Sequence, residues 1–170
     1  MTTSAPSHSI TGGSLRGIAA HLAGARATDL FCDRPVRILL AEDDDDVRRV
    51  LAKALERPKW QVDEAADGEA AWAAHCGNRY DLIITDHRMP RLTGLELIMR
   101  VRAERPDLPC ILISGEFPAE PAELDLLIRP GQTLGKPFML HDLVVVVNAA
   151  LTAHARDRSV ALPAETLCEA

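Results

Sequence analysis

Residues 82–90 read LIITDHRMP. Four apolar or β-branched residues, Leu82 to Thr85, lead straight into Asp86, and His87, Arg88, Met89 and Pro90 follow at once. A buried strand that finishes on a carboxylate has two readings. Asp86 caps a turn, or it is presented at the strand's edge for chemistry. The remainder of the chain bears on the choice.

Working outward, VRILLA (36–41), DLIIT (81–85) and CILIS (110–114) are continuous apolar runs, QTLG (132–135) is a short strand, and WQVDEA (60–65) alternates. Between them, apolar spacing predicts helices over 45–56, 68–76, 94–104 and 139–153. The stretch 117–131 carries Pro118, Pro121 and Pro130, so a short or irregular helix is expected around Glu120 to Ile128. Five β-α repeats with strands apolar on both faces predict an α/β fold: a doubly wound, five-stranded parallel sheet covered by helices. In such sheets, sites form at the carboxyl ends of the strands.

Residues 1–34 are rich in Ser, Thr, Gly and Ala. Leu15, Ile18, Ala19 and Leu22 follow helical spacing, which suggests a short helix over 14–26, while Gly13, Gly17 and Gly24 oppose it. The division expected is a flexible or weakly helical extension (1–34), a folded domain (35–155) and a polar tail (156–170).

Composition narrows the function. The 170 residues are 47% hydrophobic, enough for one core, and the net charge of −6 argues against a nucleic-acid surface. No apolar run approaches the roughly 18 residues of a membrane span. The first 15 residues hold no Lys or Arg, so no secretory signal is expected. The four cysteines are scattered without a CxxC pair, and Cys110 opens a strand, as a reduced core thiol would. A reducing, cytoplasmic setting and no zinc-type centre are expected.

The strand ends supply the chemistry. Glu42 and Asp43 follow the first strand, Asp86 ends the third, Ser114-Gly115 ends the fourth, and Lys136-Pro137-Phe138 follows the fifth. Helix-favouring acids account for Asp44 to Asp46, one of them as N-cap, but not for two acids at a strand end. Only three lysines stand against 16 arginines, and one of the three occupies this rim. A cis Lys136–Pro137 bond is plausible there. Crowded carboxylates repel each other, and a hard cation relieves them. Oxygen ligands without His or Cys point to Mg²⁺. A carboxylate can attack phosphorus and form an acyl phosphate. The metal, the Lys136 ammonium, the Ser114 hydroxyl and backbone N–H groups would neutralise the transferred group.

The segments ILLAEDD, DLIITDHRMPRLTGLEL, ILISG and LGKPF resemble, in order and spacing, the receiver domain of two-component response regulators over about residues 36–153. The likeness looks nearest to short stand-alone receivers of the CpdR type. It implies a flavodoxin/CheY-like sheet of strand order 2-1-3-4-5. It implies Asp86 as phosphoacceptor, and Mg²⁺ held by Asp43, Asp86 and the Arg88 carbonyl, with Glu42 acting through water. Ser114 and Lys136 would contact the phosphoryl group. Two departures stand out. Receivers usually carry Tyr or Phe three residues before the lysine, and here that residue is Thr133. The segment 117–131 also lacks a clear amphipathic helix.

The function expected is a single-domain response regulator. It would take a phosphoryl group from a histidine kinase or a histidine phosphotransfer protein and signal to a downstream protein target, with no nucleic-acid or membrane partner; a homodimer is left open. About 15 residues follow the last helix, too few for a DNA-binding domain unless the chain is part of a longer one. Two other readings compete: a phosphorylation-independent adaptor, and an Asp-nucleophile phosphatase. The phosphatase needs a second acid two residues after the nucleophile, where Arg88 stands. Arg88 and Glu116 would flank an acyl phosphate and could pair above it. His87 reads as a surface or edge residue.

Overall fold

The computed structural model describes residues 34–116, 124 and 128–160. The chain runs β1 (Val36–Ala41), α1 (Asp45–Leu55), β2 (Trp60–Ala65), α2 (Gly68–Gly77), β3 (Leu82–Asp86), α3 (Gly94–Glu104), β4 (Cys110–Ser114), β5 (Gln132–Gly135) and α4 (Leu140–Val160). The five strands form one sheet in the order β2-β1-β3-β4-β5, and every neighbouring pair is parallel. This is the doubly wound sheet and the strand order expected.

Continuous apolar strands exist because both sheet faces are covered. Alternate residues enter opposite cores. Ile38, Leu40, Ile84, Ile111 and Ile113 pack against Leu51 and Leu55 of α1 and Leu143, Val147 and Leu151 of α4. Leu39, Ala41, Ile83 and Leu112 pack against Ala71 of α2 and Leu97, Ile98 and Val101 of α3. Truncating a fully buried Leu or Ile here to Ala costs about 2–5 kcal/mol. Every residue of β3 and β4 is buried, whereas edge strand β2 buries only its ends, Trp60 and Ala65.

Local chemistry starts each helix facing the rim. Asp44 is the N-cap of α1, its Oδ1 accepting from the amides of Asp46 (2.9 Å) and Val47 (3.0 Å). Asp67 caps α2, and Thr93 and Glu96 form a capping box on α3. Cys110 is fully buried, and burial pushes its thiol up to about 11, so it is an inert core group.

α4 departs from expectation at its end. It continues to Val160, five residues into the stretch taken from sequence as a tail. His154, just past the predicted end of the helix, is buried and extends the inner stripe of Val147, Leu151 and Ala155 at helical spacing. The stripe reaches Ala155, two residues beyond the predicted end of the helix. Of the stretch 120–128, Leu124 and Ile128 are described; both are helical and buried. The helix expected over 14–26 lies outside the described residues. Among those described, no helix is long and apolar enough to cross a membrane.

Candidate functional site

Parallel strands all end on one rim, and that is where the chemistry collects. Asp86, the last residue of β3, pairs with Ile113, and Ser114, the last of β4, pairs with Gly135. Glu42 and Asp43 leave β1 beside them, and Lys136 leaves β5, its N–H bonded to the Ser114 carbonyl at 2.8 Å. The Lys136–Pro137 bond is cis. A cleft of about 550 Å³ opens here, lined by Glu42, Asp43, Asp86, Arg88, Ser114, Gly115, Glu116 and Lys136.

The Lys136 ammonium lies 2.5 Å from Asp86 Oδ1 and 3.2 Å from Glu42 Oε2. The other Asp86 oxygen accepts the Arg88 backbone N–H at 2.5 Å. Oxygens of Glu42, Asp43 and Asp86 all lie within 4.8 Å of one another. Glu42 and Asp86 are buried, while Asp43 reaches solvent. Such a cluster of hard oxygen donors fits a divalent cation. Arg48, which the sequence did not flag, donates to the Glu42 carbonyl at 2.7 Å and steadies the start of this loop. The signal available was an arginine on the first turn of α1, among acids that mask it.

Electrostatics follow from the crowding. Burial pushes the Glu42 carboxyl above its ordinary value, the Asp86 charge pushes it further, and Lys136 pulls against both. For Lys136, burial works to lower the pKa, but the hydrogen bond and charge of Asp86, then those of Glu42, outweigh it, and the net shift is upward. A carboxyl raised by folding stabilises the fold below its unfolded pKa, and that contribution is lost as pH rises through the folded value. Ionised Glu42 therefore costs stability at neutral pH. In metal-free buffer at pH 7, Glu42→Gln is expected to raise Tm by a few degrees, and the gain is expected to shrink as pH falls through the raised folded value and to vanish below about 4, where Glu42 is neutral in both states. Thermal scans across pH check the sign.

Two expected residues behave differently from the rest. The Ser114 hydroxyl lies at the cleft wall, but it donates to the Glu116 carbonyl and accepts from the Glu116 amide (3.1 Å), so it is turned onto the backbone rather than toward Asp86. Thr133 sits exposed on edge strand β5, opposite Leu112, and does not line the cleft. Arg88 and Glu116 form the expected ion pair at the mouth, both side chains largely exposed. Arg88 occupies the position two residues after Asp86 at which a phosphatase would need a second acid. His87 is half-buried; its N–H bonds the Ile113 carbonyl at 2.8 Å and extends the β3–β4 ladder, as an edge residue would.

A five-stranded parallel sheet in this order, with an acid cluster and a lysine converging at the ends of three strands, defines a receiver domain. The chain belongs to the response regulator receiver domain family, whose profile matches residues 38–148. It is similar to the response regulator receiver protein CpdR of Brucella abortus (strain 2308), 40% identical over 118 residues, which cover 69% of this chain and 98% of that protein. It is also similar to the response regulator MprA of Mycobacterium sp. (strain KMS), 33% identical over 135 residues, covering 79% of this chain but 59% of MprA. Among solved structures, the chemotaxis protein CheY4 of Vibrio cholerae aligns with a TM-score of 0.62 at 26% identity, covering 68% of this chain and 98% of that one. The resemblance drawn from the motifs, including its CpdR-type leaning, stands. Members of this family are signalling regulators rather than conventional enzymes.

Proposed function

We propose that the chain is a single-domain response regulator, with Asp86 as the phosphoacceptor. One observation carries the reading most directly: the Lys136 ammonium touches Asp86 and Glu42 while Asp43 completes the acid trio within 4.8 Å. The likeness to CpdR, of which the chain spans 98%, supports a stand-alone role.

In this reading an Asp86 oxygen attacks the phosphorus of a phosphohistidine on a histidine kinase or phosphotransfer protein. The P–N bond breaks, the imidazole leaves with its electron pair and takes a proton, and an acyl phosphate remains on Asp86. Glu42, Asp43, Asp86 and the Arg88 carbonyl would hold Mg²⁺, which neutralises charge on the transferred group. Lys136 exchanges its carboxylate partner for a phosphoryl oxygen. The Ser114 hydroxyl releases the 116 backbone to reach the same group, and the Gly115-Glu116 segment moves with it. Thr133 presents no ring to turn inward, so the signal passes through the 114–116 backbone to a downstream protein. Acetyl phosphate with Mg²⁺ is expected to place a single base-labile phosphoryl group on the wild-type protein; an unlabelled protein would reject the acceptor reading. Profiling against a panel of histidine kinases then finds the donor.

Arg88 and Glu116 line the cleft and pair there, and in this reading the pair would lie over the approach of water to an acyl phosphate. An exposed pair contributes ~0.5–1 kcal/mol, which sets the expected acceleration of dephosphorylation in Arg88→Ala at about two- to fivefold. An unaltered decay rate would show that the pair does not screen the bond.

A further inference from the structure

We propose that the ion pair between Arg91 and Asp67 is a latch that sets the pose of the Asp86 carboxylate. Arg91 is a positioning residue, one loop away from the chemistry. Among the described residues it is the non-glycine residue with positive φ, at 68°. That region disfavours a side chain, so something must hold it there. Its guanidinium Nη2 meets Asp67 Oδ2, the N-cap carboxylate of α2. The Asp67 side chain is only 6% exposed, and its other oxygen accepts the Ala70 amide at 2.8 Å, so the anchor itself is rigid.

A second contact joins the same two segments. A Cβ added to Gly68 would stand 2.1 Å from the Leu92 carbonyl oxygen, so the start of α2 and the β3–α3 loop touch backbone to backbone. The left-handed turn at Arg91 lets Met89 and Leu92 both enter the core and lets the Gly94 N–H reach the His87 carbonyl at 3.0 Å. The loop so closed presents the Arg88 N–H to Asp86 Oδ2 at 2.5 Å. Without the latch, the turn loses its charge anchor, the Arg88 amide drifts, and Asp86 no longer holds its oxygens toward Glu42 and Asp43.

The inference rests on the cation reading above, and its test separates the two. Mg²⁺ is titrated against the full chain and followed by amide chemical shifts at the rim, with Tm recorded for each variant. Arg91→Ala keeps the Cβ and its backbone strain but removes the pair; Arg91→Gly removes both; Arg91→Lys keeps the charge. The expected result is Mg²⁺ binding weakened roughly three- to tenfold in the Ala and Gly variants, with most of it recovered in Arg91→Lys. Relief of strain in Arg91→Gly is expected to raise Tm relative to Arg91→Ala without restoring affinity. Wild-type affinity in Arg91→Ala would overturn the latch and leave the cation site intact. Wild-type protein that binds no Mg²⁺ would overturn both. Should Arg91→Ala fail to fold, Asp67→Asn retains the capping oxygen and carries the same expectation.

Discussion

Asp86→Asn is expected to reduce labelling by acetyl phosphate to background while leaving the protein folded. Asparagine has the shape of aspartate and an oxygen that still accepts the Arg88 N–H, now 2.5 Å from Asp86. What it lacks is a nucleophilic oxygen and a charge. Loss of the charge removes the repulsion that lifts Glu42, whose carboxyl burial and Asp86 together hold above its ordinary value. The variant should therefore not lose stability through Glu42, and the loss of label can be read as chemistry rather than unfolding. It should also bind Mg²⁺ more weakly, since one of three converging carboxylates is gone. Retention of the wild-type label would place the acceptor elsewhere and sink the site assignment.

Gly94→Ala is expected to damage the fold and the site together. A Cβ at this position would lie 2.1 Å from the Asp86 carbonyl oxygen and 3.0 Å from Leu112 Cδ1. Neither neighbour yields cheaply. The Asp86 carbonyl is held by the Thr85 hydroxyl at 2.9 Å, and Leu112 is fully buried. Overpacking of this kind costs about 3 kcal/mol, a fall in Tm of roughly 10 °C for a domain of this size. The displaced backbone belongs to Asp86, so labelling of the folded fraction should fall too. Gly77→Ala provides the control: nothing lies within 4 Å of the added carbon, and the change should be neutral or mildly stabilising. Urea titrations of the two variants side by side test the contrast.

The features visible in the sequence share a property: they are decided by local surroundings. Ile83, Ile84 and Ile111 to Ile113 form unbroken apolar runs because residues on both sides of a covered parallel strand are buried. A cap was expected among Asp44 to Asp46, and it is Asp44, whose carboxylate serves amides two and three residues on. The rim residues were legible through one topological rule, that parallel strands deliver their ends to a common edge. The pairing of Arg88 with Glu116, 28 positions apart, followed from that rule rather than from any pattern in the residues themselves.

Where the rule does not reach, the sequence was silent. Arg91 looks like any loop arginine, and Asp67 like any helix cap, because their meeting depends on the path of a loop. His154 is polar yet buried in the fold, and α4 runs on to Val160. Ser114 was read as a contact for a phosphoryl group, but that its hydroxyl rests on the backbone of residue 116 could not be read from the chain. By itself the sequence determined the layering and which residues stand at the rim, since burial and periodicity are written along the chain; the strand order came with the family resemblance of its motifs. Only the tertiary structure decided which rim groups touch, which are turned away and what holds the Asp86 loop in place, since those depend on ångström-scale distances between segments that the chain keeps far apart.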